Sequence, residues 1–177
     1  MAMRFRLRGQ RAWLAVAAVG VAAAGIVWMT RRGPAHEIPR PDLTTFADRD
    51  VQMELFSSAR HVELNPRSAP AWGEYGIVLR AYGQHTEADR CFQVAAALDP
   101  TDGRWPYLYG THLAETDPSA AAPWLERAAG GSVPDAARET VRARLGEVLL
   151  AAGRPADALA ALEANTESPP RVRLVAA

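Results

Sequence analysis

The stretch that decides the fold runs from Ala69 to Asp102: APAWGEYGIVLRAYGQHTEADRCFQVAAALDPTD. Trp72, Tyr75, Ile77, Leu79 and Tyr82 recur at roughly helical spacing, so a helix over the first half has an apolar face. Gly83 follows the last of them. Glycine closes helices because it enters the left-handed region without a Cβ clash. Glu87 to Leu98 predicts a second helix, with Ala88, Phe92, Ala95, Ala96 and Leu98 on its apolar face. Pro100 ends it, because its ring disfavours helix at Asp99. Gly76 and Ala88 carry little or no side chain, which lets the two helices approach closely as an antiparallel hairpin.

Numbered within this 34-residue frame, Trp72, Tyr75, Gly76, Leu79, Gly83, Ala88, Phe92, Ala95 and Pro100 fall at positions 4, 7, 8, 11, 15, 20, 24, 27 and 32. That set resembles the tetratricopeptide repeat (TPR) at each signature position. The resemblance implies a binding scaffold. One repeat cannot bury its own apolar face, so repeats stack and leave a concave surface for a partner.

The frame recurs downstream. From Glu139, Leu145, Gly146, Leu149, Gly153, Ala158 and Leu162 take positions 7, 8, 11, 15, 20 and 24, and Pro170 takes position 32. Arg142 and Asn165 depart from the pattern at positions 4 and 27, and Pro155 suits the first turn of a helix. Between the two lies a divergent copy. Trp105, Tyr109, Gly110 and Leu113 suit a first helix beginning near Gly103, and Asp117-Pro118 starts a second that carries Pro123 inside it. Gly130-Gly131-Ser132 reads as a loose connection, and Asp135 as part of the next helix's acidic first turn. Upstream, Thr44 to Leu64 reads as one longer helix with Phe46, Val51, Leu55, Phe56, Ala59 and Val62 as its buried stripe.

The N-terminus has a different character. Arg4, Arg6, Arg8 and Arg11 precede Ala12–Thr30, nineteen residues without charge, and Arg31-Arg32 follow. That length spans a bilayer core as a helix, and Trp13 and Trp28 stand where interfacial aromatics belong. A cleaved signal peptide is the alternative, with Ala22-Ala23-Ala24 as the small-residue site, although Ile26 to Met29 continue the apolar run. The arginine excess before the segment places the N-terminus in the cytoplasm and the repeats outside, at a bacterial inner (cytoplasmic) membrane.

The expected architecture is all-α: a TPR-type helical hairpin solenoid of about three repeats, preceded by a single transmembrane helix. Its divisions are a basic N-terminus and anchor (1–32), a proline-rich linker (33–43), a capping helix or half repeat (44–68), and repeats at 69–102, 103–134 and 135–170. A tail at 171–177 follows.

The zero formal charge hides a split. Residues 1–32 hold six arginines and no acid, and the remainder carries 14 basic and 20 acidic residues. An acidic repeat domain argues against nucleic acid as the partner. Every basic side chain is arginine, a bias typical of GC-rich bacterial genomes. The lone Cys91 falls in a helix and reads as core filling. His36, His61, His85 and His112 lack ligand spacing, and Ser57-Ser58 has no base in sequence reach. Haem-attachment, phosphate-loop and nucleophile-elbow motifs are missing, so the reading is non-catalytic, with no cofactor and no metal.

The leading functional reading is a membrane-anchored TPR adaptor or assembly factor that binds a peptide or folded domain and meets the bilayer through residues 12–30. The alternative is a structural accessory subunit of a membrane complex, held through the small residues of that helix, among them Gly20 and Gly25. The TPR resemblance implies that frame positions 2, 5, 9 and 12 line the groove. These are Pro70, Gly73, Ile77 and Arg80, then Arg104, Tyr107, Thr111 and Ala114, then Thr140, Ala143, Glu147 and Leu150. Ile77, Arg80, Arg104, Tyr107, Thr111 and Glu147 are the expected partner contacts. Gly73 and Ile77 depart from the family's carboxylate clamp, so no such clamp is expected.

Overall fold

Side-chain caps fix where several of the helices begin. The computed structural model describes residues 36–163, and its helices are α1 (Arg49–Leu64), α2 (Ala69–Ala81), α3 (His85–Leu98), α4 (Arg104–Leu113), α5 (Pro118–Gly130), α6 (Asp135–Ala151) and α7 (Pro155–Glu163). Ser68 Oγ accepts the Ala71 N–H at the start of α2, and Asp117 Oδ1 accepts the Ala120 N–H at the start of α5. Each cap satisfies a donor that the helix leaves without an internal partner. Gly83 and Gly153, both at frame position 15, end α2 and α6 with φ of 75° and 74°. The closing bonds match as well. Gly83 N–H reaches the Arg80 carbonyl and Gln84 N–H that of Leu79, as Gly153 and Arg154 do toward Leu150 and Leu149.

Each helix packs on its neighbours in sequence, α1 on α2 and so on to α7. That is the quasi-one-dimensional order of a helical-repeat array. No strand occurs among the described residues. The main apolar cluster gathers Leu55, Trp72, Tyr75, Leu79, Phe92 and Trp105 from α1 to α4, and a second gathers Leu125, Leu145 and Leu149 from α5 and α6. Gly76 sits where α2 meets α3, and a Cβ there would lie 2.7 Å from the Phe92 ring.

Several boundaries differ from the sequence expectation. The helix expected from Thr44 begins only at Arg49, because Asp48 turns its carboxylate onto the Asp50 N–H and caps it there. Leu43–Thr45 form a separate 3-10 turn capped by Asp42. Of the expected stripe, Leu55 and Val62 are buried, Phe46, Val51 and Ala59 are partly buried, and Phe56 is 59% exposed. The linker expected at 33–43 is docked from Ile38 onward: the Tyr75 hydroxyl donates to the Pro39 carbonyl at 2.6 Å, and Arg40 pairs with Glu63 at 2.7 Å. The second helix of the first repeat starts at His85, two residues before Glu87.

Gly130-Gly131-Ser132 is not loose. Ser132 N–H donates to the Thr101 carbonyl at 2.6 Å, and Gly103 N–H donates to the Ser132 carbonyl at 3.0 Å. This clasp joins the two ends of the divergent repeat. Pro123 does lie inside α5, as its sixth residue. It forfeits only the bond to the Ser119 carbonyl, near the start of the ladder. In the last repeat α6 begins at Asp135, the acidic first turn expected there, a full turn before the frame that starts at Glu139. Val141 is buried next to Arg142, the residue that departs from the pattern. Asn165, Pro170 and the 171–177 tail lie outside the described residues.

The chain divides into two units, Met1–Glu37 and Ile38–Ala177, and the fold above is that of the second. Among the described residues no helix is long and apolar enough to cross a membrane. The span expected at 12–30 lies outside them.

Candidate partner-binding groove

The first helices of the three hairpins, α2, α4 and α6, present one face to a shared hollow of about 500 Å³. Ile77 borders it from α2, Trp105, Tyr107 and Leu108 from α4, and Ala136, Ala137, Thr140 and Val141 from α6. Val133 and Pro134 close one side, and Arg104 stands at the border. The lining is mostly carbon. Ile77 remains 47% exposed, a large apolar side chain left facing solvent within a hollow. Hollows of this size with few polar groups are ordinary binding sites.

Three of the six expected contact residues meet here: Ile77, Arg104 and Tyr107. The other three do not line the hollow. Arg80 is built into the array instead. Its guanidinium donates to the Leu108 carbonyl at 2.7 Å, lies 3.6 Å from the Asp89 carboxylate and covers the Phe92 ring at 4.7 Å. Burial pulls its pKa below the ordinary value, against the opposing charges of Asp89 and Glu115. Thr111 returns its hydroxyl to the Tyr107 carbonyl. Glu147 pairs along its own helix with Arg144 at 2.9 Å.

Arg104 is half committed. Its Nε lies 3.0 and 3.1 Å from the two Asp102 oxygens, and its terminal nitrogen is 2.7 Å from one of them. That hydrogen bonding raises its pKa further. The guanidinium also lies over the Trp105 ring at 4.5 Å. Gly73, expected on the groove wall, is buried instead. A Cβ there would meet the Trp105 ring at 2.2 Å, so the indole takes that place.

Sequence reasoning missed Val133, Pro134, Ala136 and Ala137. They precede the frame that starts at Glu139, so its position rules do not reach them. It also missed two clusters. His85 stacks on His112 with ring centroids 5.2 Å apart, and His112 Nδ1 lies 2.8 Å from Asp89. Ser57, Ser58, His61 and Glu74 border a small cavity, so a base does stand within a helical turn of the serines. The Ser57 hydroxyl, however, is spent on the Glu54 carbonyl. Among the described residues no three His, Cys, Asp or Glu side chains converge as metal ligands.

Twelve chains of solved structures match this fold. One is the crystal structure of MamA, a TPR-like helical protein, at 19% identity and a TM-score of 0.54. The match covers 64% of this chain and 66% of that one, just under two thirds of its length. At that identity the likeness shows the fold alone: an all-helical array of the TPR type. No protein-family model and no curated protein matches the sequence.

Proposed function

We propose that this chain is a non-catalytic TPR adaptor or assembly factor that holds another protein in the groove between α2, α4 and α6. The observation that carries the reading is the exposed apolar hollow around Ile77 and Tyr107. Folding leaves an apolar side chain in solvent there, and a monomer gains nothing from that arrangement. Of the charged residues expected at the site, Arg80 joins helices, Glu147 pairs along its own helix and Arg104 pairs with Asp102, so apolar burial supplies the affinity and the polar border supplies orientation.

The reading includes an uncleaved anchor at residues 12–30, a cytoplasmic N-terminus and repeats outside the bacterial inner membrane. Its support is the uncharged run and the arginines before it. The test is affinity purification of the full chain in mild detergent, beside Ile77→Ser and Thr140→Arg, with mass spectrometry of what co-purifies. Both substitutions fall on the groove wall and outside the core. A partner retained by the wild type and lost from both variants supports the reading. A partner set unchanged in both variants refutes the groove as the binding face.

A further inference from the structure

The chemistry of the ligand follows from what borders the apolar basin. A second hollow of about 440 Å³ shares Arg104, Val133 and Pro134 with it and adds Asp99, Asp102 and Ser132. Within this annex Asp102 and Arg104 neutralise each other through the short bonds given above. Asp99 feels the Arg104 charge, but the short bonds of that guanidinium go to Asp102. Its Oδ1 accepts the N–H and the hydroxyl of Thr101, at 3.0 and 2.7 Å, the Asp102 N–H also donates to the carboxylate, and the side chain borders the annex. Those bonds, the Thr101 hydroxyl first, also hold the Asp99 carboxyl below the usual carboxylate range, so it is charged at neutral pH. Around it, residues 36–163 carry 12 arginines against 19 carboxylates. Such a field draws cationic partners and repels anionic ones.

Trp105 is 2% exposed, lines the hollow, and keeps its indole Nε1 buried with no hydrogen-bond partner among the described residues. Buried donors are ordinarily paired.

We infer that the groove takes an extended peptide segment with a large apolar side chain in the basin and, close beside it in sequence, a lysine or arginine against Asp99 in the annex. This rests on the groove reading above and adds the sign of the ligand's charge. An acidic peptide would meet the Asp99 carboxylate in a domain of net negative charge, with Arg104 largely neutralised by Asp102.

The test presents a library of short synthetic peptides to the full chain in mild detergent. Each carries one leucine or phenylalanine and, at varied spacing, one Arg, Lys, Asp, Glu or Ser. The expected result is enrichment of peptides with Arg or Lys, and binding that weakens as salt is raised. Asp99→Asn should weaken the best basic peptide about two- to fivefold, the size of one partly exposed ion pair. The asparagine oxygen still accepts from Thr101, so the turn stands. Ile77→Ser should weaken every selected peptide. Enrichment of acidic peptides, or Ile77-dependent binding without charge preference, overturns the inference and leaves the groove reading intact. No enrichment, or binding indifferent to Ile77→Ser, overturns both.

Discussion

Trp72 is 1% exposed and sends its indole N–H to the Pro66 carbonyl at 2.9 Å, so it fastens the turn before α2 as well as filling the core. Trp72→Ala should cost about 3–5 kcal/mol in denaturant unfolding, as for other large aromatic core truncations. An unchanged midpoint would contradict the repeat frame. Cys91 is wholly buried, and burial pushes its thiol up to about 12. It should resist alkylation at pH 8 in the folded chain and react at once in denaturant. An unfolded thiol loses its proton near pH 8.5. Between there and about 12 the unfolded chain therefore binds fewer protons than the folded one, and stability falls as pH rises through that window. Burial raises the Tyr75 hydroxyl in the same direction, adding to the loss above pH 10. Cys91→Ala should make the alkaline decline in melting temperature shallower between pH 9 and 11. Roles of this kind were legible in the sequence because aromatic and small apolar side chains at helical spacing have one place to go. The arginines were not. Arg80 and Arg127 reach carbonyls of Leu108 and Ala96 across repeat boundaries, and contacts 28 and 31 residues away leave no local trace.

At the scale of the element, the most informative pair is Gly130 and Gly131. A Cβ on Gly130 meets nothing within 4 Å, whereas one on Gly131 would lie 2.8 Å from the Gly103 backbone. Gly131→Ala should therefore break the clasp and cost about 1–3 kcal/mol, the range for forced overpacking. Gly130→Ala, at the end of α5, should be neutral or stabilise by up to about 1 kcal/mol, since alanine is the better helix former. Thermal unfolding of the two variants separates a clasp from a loose loop; equal melting temperatures would show that the clasp contributes nothing. Two glycines in a row are also the ordinary mark of a flexible connection, so the sequence favoured the wrong reading. Helix ends were legible wherever Gly or Asp-Pro punctuated them, at Gly83, Gly153 and Asp117-Pro118. The start of α1 was missed because the apolar pattern runs on through Phe46, and only the Asp48 cap breaks it. The docking of Ile38–Arg40 depends on the Tyr75 hydroxyl, 36 residues beyond its acceptor, which no local pattern announces.

For the whole molecule, the TPR-type array was legible because its signature is a fixed period, and periods survive divergence. The groove was legible in part. Position rules named Ile77, Arg104 and Tyr107, which border the hollow, but counted from Glu139 they did not reach the wall built by residues 133–137. Topology is a separate matter, resting on the arginines before Ala12. A phosphatase fused after Ala177 is expected to be active, and a cytoplasmic-only reporter at the same position silent; the opposite pair of results would reverse the orientation. The central claim is that partners bind between α2, α4 and α6, and hydrogen exchange on the full chain bound to its captured partner tests it most directly. The account predicts slowed exchange at residues 73–80, 104–111 and 133–141, with α3 and the outer part of α5 unchanged. Protection confined to 85–98 and 118–130, with the groove segments exchanging as in the free chain, would contradict it.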